Sequence, residues 1–571
     1  MHRIEIKGSR SERKLRPASV DIQERAFLCM QHMLENSDPR FGYVPYVGVT
    51  LGEDPPHFVH HRLDWTEVLP YDIYGWVVAR DLTGREIATE REAAQRKLYL
   101  SFFNELDGFV HAPMSPWNAR YPMCLWEQTR ALYALIYWHL DNPDDEILRY
   151  IKGIVEAVFA LSRQEGKQRI FPNQVIRNIG QGYYSVGAMV DPLVKVYEIT
   201  GDSKALQMAE GLTHFMLSPR NGLFDEEGKF STFYRTVVSA INGVSRFAAL
   251  VDDPHITRRV KTIHDHARSL STSYGSTPCT EPACSNMELT QSAFSLIKLG
   301  YDEYWDEIDR VSRNQVVESQ FLDPGEWVKK KAKKGRILDK ETWVYENYKP
   351  DQATLPYDDY TNVVQRSVGG FMWTAADEHL FVPASLMLCC SAHALRIFHL
   401  LWQNTLSEDW NGMTLNFHYN AENRLGEVIS WEPFIGKTTI VPRQNARLRV
   451  RIPEYAVGTP VKATRAGALS HVEIRGRYVN FGFVNAGEEC SVEFGLRPRT
   501  TEENQLVFRN KDCSQLVETK HYQARWRGNT VVEISPESKE EKRIYKRIHL
   551  DTDHVKEQSL SHFITGKDIR W

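Results

Sequence analysis

The sequence predicts a multidomain molecule in which an α/α barrel, a toroid of helical hairpins, is followed by an antiparallel β-sandwich. Two observations carry this expectation: helical periodicity interrupted by glycine turns up to residue 404, and a change to a period of two after residue 405. The stretches "VVARDLTGREIATEREAAQ", "VKVYEITGDSKALQMAEGLTHFML" and "LIKLGYDEYWDEIDRVSRNQ" share one pattern. In each, an apolar-periodic segment ends at a glycine, which takes a positive φ without steric cost, and a second amphipathic segment begins within a few residues. In the second stretch Asp202 or Ser203 can cap the new helix, and Ala205, Met208, Leu212, Phe215 and Met216 fall on one face. Further helices are expected near residues 21–36, 66–80, 123–140, 146–163, 235–250, 256–270, 286–299 and 384–403. About a dozen paired helices with no short repeat of fixed period read as a closed ring over residues 1–404, rather than an open superhelix.

Beyond "QNTLSEDW" the pattern is that of strands. "ARLRVRIPEY" sets Leu448, Val450 and Ile452 opposite Arg449 and Arg451, "ECSVEFGL" alternates through Cys490, Val492, Phe494 and Leu496, and "GNTVVEISP" follows a Gly-Asn turn. One-sided sheets at this spacing predict a sandwich over 405–550, which leaves 551–571 as a tail. The basic run "VKKKAKKGR", residues 328–336, reads as a solvated loop between helices.

With 571 residues, a formal charge of -4 and 25% charged residues, the chain is long enough for more than one domain and has no basic footprint for nucleic acid or an anionic bilayer. No apolar run approaches the roughly 20 residues a bilayer requires, and the charged N-terminus is not a secretory signal, so a soluble cytoplasmic protein is expected. The eight cysteines form no dense framework, in keeping with a reducing compartment. The oligomeric state, including a homo-oligomer, stays open at this level.

"SLMLCCSAHAL", residues 385–395, places Cys389 beside Cys390, a spacing poorly suited to a disulfide between the two. A third cysteine lies in "TPCTEPACSNMELTQSAF", where Pro282 suits a helix start and Cys284 and Glu288 fall one turn apart on one face, with Glu281 just before them. Three sulfurs and a carboxylate make a soft four-ligand set suited to zinc. Taken by itself the pattern favours buried, inert cysteines, since free cysteine is among the most buried residue types.

The stretches "SNMELTQSAFSLIKLGYDEYWDEIDRVSRNQVVESQF", "VQRSVGGFMW", "LCCSAHALRIFHLLWQ", "RLRVRIPEYA" and "ARWRGNTVVEISP", in this order, resemble glycoside hydrolase family 127, the β-L-arabinofuranosidases. The resemblance runs from about "HFVHHRLDWTEVL" to "YKR" and implies an α/α barrel followed by β-sandwich domains. It further implies a zinc ion held by a glutamate and three cysteines, with Cys284 and Cys390 as ligands and Cys389 as both ligand and nucleophile. Two departures stand out. The position of the family's glutamate ligand is Pro282, which leaves Glu281 or Glu288 as substitutes, and "HARSLSTSYGSTPCT", where the family carries its acid/base glutamate, has no carboxylate. A retaining glycosidase needs a second group to protonate the leaving oxygen, and Glu281 or else Glu127 in "CLWEQTRAL" is the candidate.

A small carbohydrate is the expected partner. For its binding the sequence offers His57, His60, His61, Arg62 and Trp65 in "PHFVHHRLDW", Trp126 and Gln128 beside Glu127, and Gln365 and Arg366 in "VVQRSVGG". The bland alternatives are a satisfied histidine loop, a core tryptophan and a structural salt bridge. A carboxylate-only α/α-barrel glycosidase or lyase, and a non-catalytic carbohydrate-binding relative, are the competing functional readings.

Overall fold

The computed structural model describes residues 5–6, 9–51, 55–86, 89–117, 123–173, 182–278, 282–322, 357–372, 386–508, 515–536, 547–564 and 569–571. Twelve helices build a toroid: α1 Ile22–Glu35, α2 Val68–Thr83, α3 Thr89–Leu100, α4 Leu125–Asp141, α5 Asp145–Leu161 and α6 Val190–Thr200, then α7 Ser203–Leu217, α8 Tyr234–Val251, α9 Pro254–Ser269, α10 Pro282–Lys298, α11 Tyr304–Val311 and α12 Leu388–Thr405. The even-numbered helices form a closed inner ring, each packed on the next and α12 returning to α2, while the odd-numbered helices cover them from outside. The expected hairpin turns are present, with Gly84, Gly201 and Gly300 at φ 62°, 69° and 95° between α2 and α3, α6 and α7, and α10 and α11. Asp202 caps α7 by accepting from the backbone N–H groups of Lys204 and Ala205.

The two rings differ as their sequences do. Outer helix α5 buries a single stripe, Ile147, Ile151, Ile154, Val155 and Val158, at the spacing of one helix face. Inner helix α4 is buried all round from Leu125 to Trp138, although that run contains Glu127, Gln128 and Arg130. Polar groups enclosed in this way need partners, and at mid-height the ring supplies them across its axis. Asp191 of α6 accepts from Tyr133 of α4 at 2.6 Å, Asn242 of α8 at 3.3 Å and Gln291 of α10 at 2.9 Å. Arg396 of α12 donates to Gln291 at 2.6 Å and lies 5.5 Å from the Tyr74 ring of α2. Every inner helix contributes to this layer. On it the indole of Trp571 stacks against Tyr133 and Tyr137, at 4.8 and 4.7 Å, and donates to Asp191 at 2.9 Å.

Where α12 ends, strands begin: β1 Leu406–Asp409, β2 Gly412–Leu415, β3 Ala421–Glu422, β4 Gly426–Ser430, β5 Lys437–Pro442, β6 Ala446–Arg451 and β7 Val461–Arg465, followed by β8 Ala468–Leu469, β9 Glu473–Arg475, β10 Tyr478–Val484 and β11 Cys490–Phe494. A five-stranded sheet in the order β1-β2-β6-β10-β9 and a six-stranded sheet in the order β3-β4-β5-β11-β7-β8 enclose a core that includes Leu448, Val450, Cys490, Val492 and Phe494. The expectation of a purely antiparallel sandwich is corrected at one seam, where β2 pairs in parallel with β6. The residues between them run through β3, β4 and β5 of the other sheet, so the chain re-enters the first sheet in the same direction. A third sheet, β12 Pro498–Phe508, β13 Leu516–Arg527 and β14 Thr530–Ser535, lays Tyr522, Trp526 and Val531 against Tyr46, Tyr274 and Phe321 of the helical part. The segment 328–336 lies outside the described residues, as do Cys279 and Cys513. Among the described residues no helix is long and apolar enough to cross a membrane.

The tail of the chain is tied back to its beginning, with Glu557–Leu560 paired to Lys14–Pro17. Beside that pairing, His562 contacts Asp21 at 2.7 Å and Glu422 at 3.5 Å. Burial disfavours the imidazolium, but the two carboxylates outweigh burial and raise the pKa to about 10. Because the unfolded value is about 6.5, this stabilisation is complete below that pH and is lost as pH rises through about 10. Urea unfolding of wild type and His562→Ala is expected to differ by on the order of 3 kcal/mol at pH 6, with the difference gone by pH 11.

Candidate metal centre and active site

Pro282 opens α10 at a position where its missing N–H costs nothing, and Cys284 lies in the first turn. The start of α12 is fixed differently. Leu386–Met387 pairs antiparallel with Gly48–Thr50, and the helix begins at the next residue, so Cys389 and Cys390 occupy its first turn. Gly48 is required there, since a Cβ would come within 2.9 Å of the Leu386 carbonyl oxygen. The sulfurs of Cys284, Cys389 and Cys390 all lie within 4.8 Å of one another, with Cys284 and Cys390 at 3.6 Å, and none forms a disulfide. Cys284 and Cys390 are wholly enclosed, whereas Cys389 keeps 7% of its surface accessible.

Two helix N-termini therefore converge on one cluster of sulfur, and their dipoles favour negative charge there. Against its burial, Cys284 is held well below the usual thiol range by hydrogen bonding with Cys389 and Cys390 and by nearby His393. Burial pushes Cys390 well up, and hydrogen bonding with its two sulfur neighbours and the charge on Cys284 add to that rise. A tetrahedral metal with arms of about 2.3 Å spaces its sulfurs at roughly 3.8 Å, so the cluster has the chemistry and size of a three-thiolate metal site.

Glu288 lies one turn beyond Cys284, as expected, but is not part of the sulfur cluster. Its carboxylate is turned to α8, where it accepts from Asn242 at 2.8 Å, Ser239 at 3.1 Å and Arg235 at 3.3 Å. A hydrogen bond with His393, together with the charges on Arg235, His393 and Arg130, holds its pKa well below the carboxylate range despite burial. His393, one turn beyond Cys389, joins Glu288 to the cysteines: its Nδ1 is 2.7 Å from the Cys389 carbonyl oxygen and its Nε2 is 3.7 Å from Glu288. Neither His393 nor Arg235 was singled out by sequence reading, which weighs local motifs and has no means of pairing α8 with α12. Glu281 falls outside the described residues.

Beside the cluster the inner ring presents aromatic and charged groups. The Trp126 ring lies 3.8 Å from the Arg130 guanidinium and 6.0 Å from that of Arg235, and Tyr71 is 4.9 Å from His393. Glu67, at the turn into α2, lies close to Trp126, Arg130 and Arg235, and burial raises its pKa. Glu127 is set behind it, accepting from the Thr66 hydroxyl at 2.7 Å, and burial pushes its pKa to about 7, with the charge of Glu67 adding to the rise. Glu67 was also not singled out by the sequence reading, although it stands within the quoted "HFVHHRLDWTEVL".

No family model matches the sequence, and no curated protein matches it. Solved structures do. A GH127 β-L-arabinofuranosidase from Geobacillus stearothermophilus T6 superposes with a TM-score of 0.53 at 12% identity, covering 91% of this chain and 86% of that one. A second GH127 β-arabinofuranosidase gives a TM-score of 0.56 at 12% identity over 89% of this chain and 78% of the other. A third structure, described as a glycoside hydrolase, gives 0.52 at 11% identity over 92% and 83%. The chain has the GH127 fold. With about nine-tenths of the chain covered, the likeness takes in both the helical toroid and the strands that follow it.

Within this fold the remaining candidates have the following partners. His60 is wholly buried, bonded to Asp64 at 2.7 Å and Asp38 at 3.2 Å, and stacked on Trp117 at 3.9 Å, so both ring nitrogens are engaged. His61 caps a short turn by accepting from the Leu63 N–H, and burial lowers its pKa to about 3. Trp65 donates to Ser115 at 3.2 Å and stacks on Trp117. Gln128 is bonded at both ends of its amide to the backbone of Val110. Arg366 pairs with Asp359 at 2.5 Å, donates to the Glu35 carbonyl at 2.6 Å and covers the Phe58 ring, while Gln365 is exposed. Of the sequence-derived binding residues, Trp126 faces the charged groups beside the cysteines. Because Glu288 is enclosed and bound to three residues of α8, Glu288→Ala is expected to cost about 3–5 kcal/mol and Glu288→Gln less, as measured by urea unfolding.

Proposed function

We propose that this protein is a retaining glycosidase that uses Cys389 as its nucleophile on a β-L-arabinofuranosyl-like glycan or glycoside. The observation that supports it best is the meeting of three sulfurs within 4.8 Å at the N-terminal turns of two inner helices of a GH127 fold. Cys284, Cys389 and Cys390 would hold a zinc ion, which when bound keeps its thiolate ligands ionised at neutral pH. Cys389, the most accessible of the three, attacks the anomeric carbon as the bond to the leaving oxygen breaks, and a carboxylic acid protonates that oxygen. Water then attacks the sulfur-linked sugar, gives its proton to the carboxylate and releases the thiolate.

The acid must be protonated at neutral pH. Burial raises the pKa of both Glu67 and Glu127, which favours the protonated form, and Glu67, the more exposed of the two, is the one we assign to the proton transfer. Glu281 is the alternative for the same role. Trp126 supplies an apolar wall for the sugar face.

Cys389→Ala is expected to abolish turnover of an aryl β-L-arabinofuranoside while circular dichroism stays unchanged, and elemental analysis is expected to find about one zinc per chain, lost in Cys284→Ser. Full activity in Cys389→Ala would transfer the chemistry to carboxylates. Glu67→Gln is expected to slow hydrolysis of an alkyl glycoside by roughly 10²–10⁴-fold, and a nitrophenyl glycoside far less, because a good leaving group needs no proton. In wild type, kcat/KM for the alkyl substrate should fall with rising pH, as Glu67, whose pKa burial raises, loses its proton.

A further inference from the structure

Arg130 projects from α4 beside the cysteine cluster, 1% exposed, with its Nε and Nη2 atoms lacking any hydrogen-bond partner. Its guanidinium face is occupied, since Trp126 stacks on it at 3.8 Å and the Tyr71 and Tyr133 rings lie at 5.2 and 5.6 Å. Stacking engages the face alone. The N–H bonds of Nε and Nη2 lie in the guanidinium plane, side by side along one edge, so aromatic contact leaves both unsatisfied. Glu288 and Glu67 are within electrostatic reach but do not reach that edge: Glu288 is bound to Arg235, Ser239 and Asn242, and the Glu67 Oε2 is itself without a partner. A buried guanidinium with an unpaired edge is among the most costly arrangements in a folded chain, and the structure retains it where the aromatic wall of the site stands.

We infer that this edge is a subsite for a carboxylate carried by the sugar, so that the substrate class is an acidic glycoside of the uronate kind. Two parallel coplanar donors match the two oxygens of a carboxylate. Charge agrees with shape: the Arg235 guanidinium already pairs with Glu288, whereas no carboxylate of the chain bonds the Arg130 edge, and an anionic ligand would supply that partner. Position agrees as well, because Arg235 shares the Trp126 ring with Arg130 and lies 3.3 Å from His393, whose other nitrogen holds the Cys389 carbonyl. The inference rests on the glycosidase reading of the same site and, because an arabinofuranosyl unit has no carboxylate, assigns the uronate to the sugar next to it in the glycan.

The test uses free sugars, which are bound without being hydrolysed, so its outcome is independent of whether Cys389 is a nucleophile. Calorimetric titration of the full chain at fixed ionic strength with sodium D-galacturonate, D-glucuronate, D-galactose, D-glucose, L-arabinose and inorganic phosphate is expected to show at least one uronate bound tenfold or more tightly than its neutral parent. Arg130→Met should remove that preference and melt, without ligand, at or above the wild-type temperature, since it deletes an unpaired buried charge. Equal binding of uronates and neutral sugars, no binding of either uronate, or a preference that survives Arg130→Met would overturn the inference. Phosphate bound in preference to both uronates would overturn the carboxylate assignment. A lower melting temperature in Arg130→Met, or failure to fold, would mean that the guanidinium serves the fold and would overturn it too.

Discussion

The ion pair between Glu288 and Arg235, with His393 beside both, joins α8, α10 and α12 at the level of the sulfurs. Breaking a pair of this kind leaves a charge stranded in a low-dielectric interior, which costs far more than the pair contributes over an apolar substitute. The arrangement therefore acts mainly as a constraint on geometry. With Glu288 bound to α8 and His393 bound to the Cys389 carbonyl, the first turns of α10 and α12 cannot slide past each other without breaking charged hydrogen bonds. The three sulfurs converge because of it.

Below that level the same logic repeats with different chemistry. Asp191 collects donors from α4, α8 and α10, and Arg396 completes the circle with α12 and the tyrosines of α2 and α4. Trp571 covers this belt with two stacked tyrosines, and His562 locks the returning chain between Asp21 and Glu422. The result is a toroid whose mid-height is cross-linked by its own side chains. Beside the cysteines, by contrast, Arg130, Glu67 and Glu127 keep polar atoms without partners.

The helical hairpins were legible because glycine turns and amphipathic stripes are local signals, and α1, α2, α4, α5, α8, α9, α10 and α12 fall within a few residues of the segments read from periodicity. The cysteine cluster was legible in part. Neighbouring Cys389 and Cys390 stand out in a chain with eight cysteines, and Pro282 marks the helix that carries Cys284. Spacing also put Glu288 on the face of Cys284, yet α8 presents three hydrogen-bonding partners that take the carboxylate away from the sulfurs. The histidines of "PHFVHHRLDW" looked like a binding run, and His60 and His61 proved to be held by Asp38, Asp64 and a backbone cap. The parallel pairing of β2 with β6 could not be read at all, because strand alternation is the same in either direction.

The sequence by itself determined which segments form helices and strands, where the hairpins turn, and which three sulfurs are available, since periodicity, glycine and proline act over a few residues. Tertiary structure decided which polar residues meet. Arg235, His393 and Arg130 come from three helices and Glu67 from the turn into a fourth, separated by tens to hundreds of positions, and closure of the ring brings them to one side of its interior. Burial then raises the energetic stakes of every unpaired charge, so the partners each side chain finds there separate a structural residue from a candidate for chemistry.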